Sequence, residues 1–357
     1  IGAGCAYELA GAGLQVTVIE RVEPGAEASG ASAGMLSAFT SERAGPVGAL
    51  YRLSRDLYAP LAEALRAESG VDIEHGRAGH LELCMAEDEV RWARKFVSEH
   101  ADGGERLEFV TAEELRRLEP EVTREAKGAV FLPGNEWVNN ERLVVALVQA
   151  AARRGARFFL GHPVEEILAT GSRVTGVRAR GLGSLSAGAV LLAAGTWSGE
   201  IAGVPASLRL RPVKGQMIAL ANTPPLIHHA LLRDELYLVP RAGGECLVGA
   251  TVEEGVFDKR VTPEALQWLL SGAVATVPGF ARVAFRRAWA GLRPATEDGL
   301  PVIGPWPGLT GLLVAAGHFR SGILLMPVTA RIIREWLVDG HCSLPAEAFL
   351  PDRLALA

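Results

Sequence analysis

Two glycines and a carboxylate at the head of the chain have the spacing to hold a dinucleotide. Gly2 and Gly4 make a G-x-G within residues 1–21, IGAGCAYELAGAGLQVTVIER. Bare backbone there lets a pyrophosphate sit against a helix N-terminus. Residues 6–12 then read as about two helical turns, Gly13 as a turn, and 14–19 as an alternating strand ending at Glu20. A carboxylate in that place accepts hydrogen bonds from ribose hydroxyls. The unit departs from the full fingerprint twice. The third glycine, where helix and strand pack closely, is replaced by Tyr7, and only Ile1 stands where a buried first strand belongs. The expectation is of several more residues before Ile1 in the intact protein. A further stretch of about five, the third glycine among them, is expected between Gly4 and Cys5, about 7 Å of helix.

Other candidates lie further along. Residues 22–37, VEPGAEASGASAGMLS, carry little bulk before Met35; they suit either the close approach of something flat and large or a flexible loop. Arg293, in Gly291-Leu-Arg-Pro with apolar flanks Trp289 and Leu292, offers a planar donor fork matched to a carboxylate, against the alternative of a surface ion pair. Arg320 precedes a helix in His318-Phe-Arg-Ser-Gly, and a cation at a helix N-terminus stabilises negative charge. Cys5, Cys84, Cys246 and Cys342 contain no C-x-x-C pair, which fits reduced thiols and a cytoplasmic setting. His228–His229 reads as exposed, and no metal site is expected.

The elements that position these residues follow from periodicity. At 357 residues, 49% hydrophobic and with 41 glycines, the chain suits a compact two-domain α/β enzyme. A net charge of −5 without a basic run argues against a nucleic-acid partner, and the longest apolar stretches, 187–195 and 311–317, are too short to span a membrane. Helices are expected over 50–69 with Gly70 as the stop, 88–99, 111–119 opened by the Thr111 capping box, 143–154, from 262 onward, and 323–337. Strands are expected at 81–85, 157–160, 174–178, 189–195, 212–220, 236–241, 245–251 and 312–316.

Taken in order, G-x-G…IER, ASAGML (31–36), AAGTWSG (193–199), PVKGQ (212–216), YLVPR (237–241), VGAT (248–251), WAGLRPATEDGLPVIG (289–304) and AAGHFRSGILLMP (315–327) form a set. It resembles the FAD-dependent D-amino-acid oxidase superfamily, and most closely the glycine oxidases of thiamine biosynthesis, from Gly2 to about Trp336. The resemblance implies an α/β (α+β) protein with a Rossmann-like FAD-binding domain discontinuous in sequence, over 1–73, 138–212 and 289–345. The second, substrate-binding domain, built on a mixed and antiparallel sheet, would take 74–137 and 213–288.

The implied activity is FAD-dependent oxidative deamination of glycine and other small amino acids or amines. Cα–H would leave as hydride toward flavin N5, the imine would hydrolyse, and O2 would be reduced to H2O2, feeding thiamine thiazole synthesis. Arg293 would clamp the substrate carboxylate, and Tyr237 would donate to it or else be a structural tyrosine. The backbone of His318, Phe319, Ser321, Gly322, Ile323 and Leu324 would stabilise charge on the flavin, and the Arg320 side chain would join it or else brace the site. Met35 would touch the flavin or simply fill the core. Gly2, Gly4, Glu20 and Arg21 would serve the adenosine end with Ala28, Ser29, Ala33 and Gly34. Val164, Ala194, Gly195 and Trp197 would complete the cofactor contacts.

This sequence has Val252 where glycine oxidases often carry a second methionine, and Glu235 where one branch has histidine. The absence of cysteine between Cys246 and Cys342 implies non-covalent FAD. Relatives imply a homo-oligomer, a tetramer. The competing readings are a D-amino-acid or sarcosine dehydrogenase with a quinone acceptor, a tRNA-modifying flavoprotein, and a relic whose disrupted opening no longer binds FAD.

Overall fold

The structure is a computed structural model that describes residues 1–38, 48–100 and 106–355. One hydrophobic core forms around α1 (Gly2–Gly11), whose buried Cys5, Ala6, Leu9 and Ala10 pack against α7 (Asn140–Arg153) and α9 (Gly322–Val338). Small residues let these helices close up: a Cβ on Gly4 would overlap the Met326 thioether. The helix is unbroken in this sequence, with Cys5 N donating to Ile1 O at 3.0 Å. A Cβ on Gly2 would lie 3.6 Å from the Cβ of Ala193, just past the end of the strand Val190–Leu192, an ordinary contact. Tyr7 is a helix-interior residue. The Arg154 guanidinium lies 3.7 Å from the Tyr7 ring centroid, and the Tyr7 hydroxyl donates to Glu68 at 2.9 Å.

The helix expected over 50–69 is two, α3 (Gly48–Asp56) and α4 (Tyr58–Ser69), and Gly70 stops the second in the left-handed region. Around this core β1 (Thr17–Glu20) pairs in parallel with β7 (Arg157–Leu160), and β11 (Val190–Leu192) with β19 (Leu312–Ala316). A further strand, β18 (Val302–Pro305), runs antiparallel to β19, and β8 (Val164–Thr170), β9 (Arg173–Ala179) and β10 (Gly183–Ser186) form a separate antiparallel sheet. Among the described residues, the other edges of β1 and β11 have no ladder partner, and both line one cavity. A two-residue pair, β2 (Met35–Leu36) with β6 (Glu136–Trp137), ties the small-residue segment to residues near α7.

A second core lies on a nine-stranded sheet. Its strands are β3 (His80–Cys84), β4 (Glu108–Thr111), β5 (Gly128–Leu132), β12 (Arg211–Ala221), β13 (Ala230–Arg233), β14 (Leu236–Pro240), β15 (Glu245–Gly249), β16 (Glu253–Glu254) and β17 (Phe285–Ala295). The order is β16-β12-β15-β14-β13-β3-β5-β4, with β17 also on β12 and only β13·β3 parallel. Against it pack α5 (Glu87–Glu99), α6 (Ala112–Leu118) and α8 (Pro263–Thr276), the last two capped by Thr111 and Thr262 as their sequences indicate. The break points expected at 213 and 289 fall inside β12 and β17, which pair from Arg211↔Ala295 to Leu220↔Phe285. Strand β17 continues to α2 (Ala28–Ala31), where Gly291 abuts Ala31. Between the two cores, Met217 and Ala219 of β12 and Trp289 of β17 pack in a smaller cluster with Ala33 and Met35 of the small-residue segment. Among the described residues no helix is long and apolar enough to cross a membrane.

Candidate active site

A cavity of about 1810 Å³ runs from the N-terminus of α1 and Glu20 to Tyr237 and Arg293. At one end the first-turn N–H groups of α1 lack intrahelical partners by helix geometry. The Glu20 Oε1 accepts Val22 N at 2.9 Å, and among the described residues nothing engages the other oxygen of that carboxylate. Arg21 pairs with Glu27 at 2.6 Å and lays its guanidinium 3.8 Å from the Trp197 ring centroid. Phe257 meets Trp197 edge-on at 5.7 Å, and Lys259 reaches Glu27 at 3.0 Å. Trp197 is thus a fixed wall.

The small-residue segment is held from behind. Gly34 has φ +66, and a Cβ there would overlap the Val138 carbonyl. Arg241 donates to the carbonyls of Val138 and Ala33 and to Asn140 Oδ1. Asn140 Nδ2 donates to Ser29 O and Gly30 O at 2.8 and 2.9 Å, and Trp289 Nε1 to Ala31 O at 3.0 Å. None of the three lines the cavity. Burial brings the Arg241 guanidinium down to about 10. The motif YLVPR drew attention to its tyrosine; its arginine is what fixes the loop.

At the other end, β17, β12, β15 and β14 bring Arg293, Gly215, Gly249 and Tyr237 together. Glycine makes the room. A Cβ on Gly215 would overlap the Arg293 guanidinium, and one on Gly249 would lie 2.6 Å from the Tyr237 hydroxyl. Arg293 Nη1 donates to Thr251 O at 3.1 Å and Lys214 O at 3.4 Å. Burial lowers its pKa, with Tyr237 opposing that shift. Burial raises the Tyr237 phenol, so the hydroxyl keeps its proton; it lies 3.6 Å from Met217 Sδ.

A polar network that the sequence left unread sets the Thr251 carbonyl. Thr251 Oγ1 accepts Gln216 N at 2.9 Å and donates to Glu253 at 2.6 Å, and Gln216 Nε2 donates to Glu253 at 2.7 Å. The buried Lys214 ammonium lies 3.1 Å from Asp258 and 3.7 Å from Glu253. Lys214 and Gln216 belong to PVKGQ, so the motif was the available signal.

At the mouth Arg320 Nη2 lies 3.3 Å from Glu235 Oε2. His318 is buried, its Nε2 3.0 Å from Thr329 Oγ1; burial pushes the ring down to about 3, so it is neutral at ordinary pH. Of the expected site residues, Gly4, Ser321 and Leu324 do not line the cavity. Gly4 packs on Met326, Ser321 N donates to His318 O, and Leu324 O accepts Ser54 Oγ. The remaining expected residues, from Gly2 and Glu20 to Ile323, all line it, whereas Val252 does not. Among the described residues no cluster of His, Cys, Asp and Glu could hold a metal ion.

Comparison with known proteins agrees with this geometry. The family described as DAO, FAD dependent oxidoreductase, matches residues 1–336. The glycine oxidase of Pseudomonas aeruginosa is 38% identical over 349 residues, covering 96% of this chain and 93% of that protein. The hydrogen cyanide synthase subunit HcnC of the same organism is 31% identical over 391 residues, covering 99% and 94%. The crystal structure of glycine oxidase from Geobacillus kaustophilus superposes with a TM-score of 0.92 at 34% identity, covering 98% of this chain and 95% of that one.

Proposed function

This chain belongs to the DAO family of FAD-dependent oxidoreductases, and on that footing we propose that it oxidises the CH–NH2 group of glycine and other small amino acids or amines. Oxygen would be the acceptor, hydrogen peroxide the product, and thiazole synthesis for thiamine the destination. The observation that carries the reading is Arg293, a guanidinium pinned by backbone carbonyls beside a protonated Tyr237. Among the described residues it has no carboxylate partner. An unpaired, partly desolvated guanidinium is costly unless a ligand carboxylate completes it.

The donor set fits the cofactor. The N–H groups at the head of α1 suit a pyrophosphate, and the free Glu20 oxygen suits a ribose hydroxyl. The wall of Ala28, Ser29, Ala33 and Gly34 admits a flat ring system beside Met35, and the N-terminus of α9 suits negative charge. FAD supplies the two-electron acceptor. The chain's own part is to orient and to exclude water. Arg293 and Tyr237 would fix the carboxylate, and Met35, Met217 and Ala250 would keep the space around Cα apolar. We assign residues 1–73, 138–212 and 289–345 to the cofactor unit and 74–137 and 213–288 to the substrate unit. The separate cores support that division, and β12 and β17 meet the cofactor unit through the cluster of Ala33, Met35, Met217, Ala219 and Trp289.

The test is a screen of the FAD-loaded protein against glycine, sarcosine, D-alanine and D-proline with peroxide readout. Peroxide formed with glycine or sarcosine is expected. Turnover with an artificial acceptor but without peroxide would overturn the oxidase reading, and no turnover with any of them would overturn the substrate class.

A further inference from the structure

We propose that Glu235 is a specificity-determining residue, which masks Arg320 at the cavity mouth so that the site accepts one carboxylate and rejects substrates bearing a second acidic group. The inference rests on the function proposed above. Two guanidinium groups stand near Tyr237, and their partners differ. Arg293 is held by carbonyl oxygens, which satisfy N–H donors without cancelling its charge. Arg320 is held by a carboxylate at 3.3 Å, which does cancel it. The inner cation therefore remains available for a ligand, and the outer one is occupied.

The placement of Glu235 is set by the hairpin between β13 and β14. Asp234 turns the chain at φ +52, Glu235 follows, and Tyr237 is two residues on along β14. Asp234, Glu235, Tyr237, Arg293 and Arg320 all line the same cavity. The charges at Glu235 and Arg320 both reach the Arg293 guanidinium, in opposite senses, and that at Arg320 reaches the Tyr237 hydroxyl. A substrate fixed through its first carboxylate at Arg293 would carry a second one into the field of Glu235, where like charges repel and no free cation answers. Removing the Glu235 charge would turn the same place into an anion subsite on Arg320.

The side chains of Arg320 and Glu235 are 40% and 66% exposed, and an ion pair this exposed contributes little to stability, so its removal leaves the fold standing. FAD-loaded Glu235→Gln is compared with wild type for kcat/KM on iminodiacetate relative to glycine, and by calorimetry for the Kd of malonate relative to acetate. Both ratios are expected to shift about tenfold toward the dicarboxylate, to stay at the wild-type value in Glu235→Asp, and to return toward it in Glu235→Gln/Arg320→Gln. Ratios unchanged in Glu235→Gln, with wild-type turnover of glycine intact, overturn the inference alone. A wild-type protein that neither turns over glycine nor binds acetate overturns the proposed function and this inference with it.

Discussion

The two ends of the cavity are held by different means. At the Arg293 end, a single charged side chain is fixed by hydrogen bonds to named carbonyls, and a second polar layer of Thr251, Gln216, Glu253 and Lys214 lies behind it. At the Glu20 end, the wall is backbone and small side chains, and what fixes it sits outside the cavity in Arg241, Asn140 and Trp289. The difference follows from what each end would hold. A small carboxylate gives few atoms to grip, so recognition concentrates in one fork. A dinucleotide spreads its contacts over many backbone groups, so no one side chain dominates.

The contrast is most directly broken at Arg293. Arg293→Ala is expected to lower kcat/KM by about a thousandfold, the size of effect seen when one partner of a buried charge pair is removed. The bound-flavin absorbance should survive, because Arg293 stands at the far end from Glu20. Loss of flavin together with activity would mean that the two ends are not separable. The next effect belongs to the cofactor end and to backbone. Gly34→Ala would force a residue with φ +66 to carry a Cβ that overlaps the Val138 carbonyl. The segment must shift, and FAD affinity is expected to fall about a hundredfold, given strain of a few kcal/mol. Titration of the apoprotein with FAD measures this, and an unchanged Kd would show that the segment does not shape the cofactor site.

The same contrast explains what could be read before the fold was known. Arg293 announces itself because a charged residue between apolar flanks in a glycine-bearing stretch has few structural uses, whereas Tyr237 is picked out only by the resemblance that YLVPR carries. The layer behind Arg293 does not, because Thr251, Glu253 and Lys214 meet only through the register of β12 with β15 and β16. The G-x-G at Gly2 and Gly4 reads alike whether it faces a phosphate or another helix. What decides is the neighbour a Cβ would meet, and for Gly4 that is Met326, most of the chain away. Periodicity likewise marks the strand at 212–220 but not β17 over Phe285–Ala295, nor the pairing of the two, since a pairing partner leaves no trace in either strand alone. The split of 50–69 at Leu57 has no signal in the apolar spacing, which continues across it.

Glu20 sharpens the comparison with the smallest effect. One of its oxygens is already engaged by Val22 N at 2.9 Å, so it offers a ligand only the other. Glu20→Gln keeps an acceptor oxygen and replaces the second with a donor, removing a charge-assisted bond while leaving the neutral one available. The expected loss of FAD affinity is about tenfold, the value of one charge-assisted hydrogen bond among many contacts, read from the Kd of the apoprotein for FAD. That is far below the thousandfold expected for Arg293→Ala on substrate. A loss at Glu20 as large as that would mean the cofactor end also depends on one carboxylate, and backbone and small residues would then be shape without much of the binding energy.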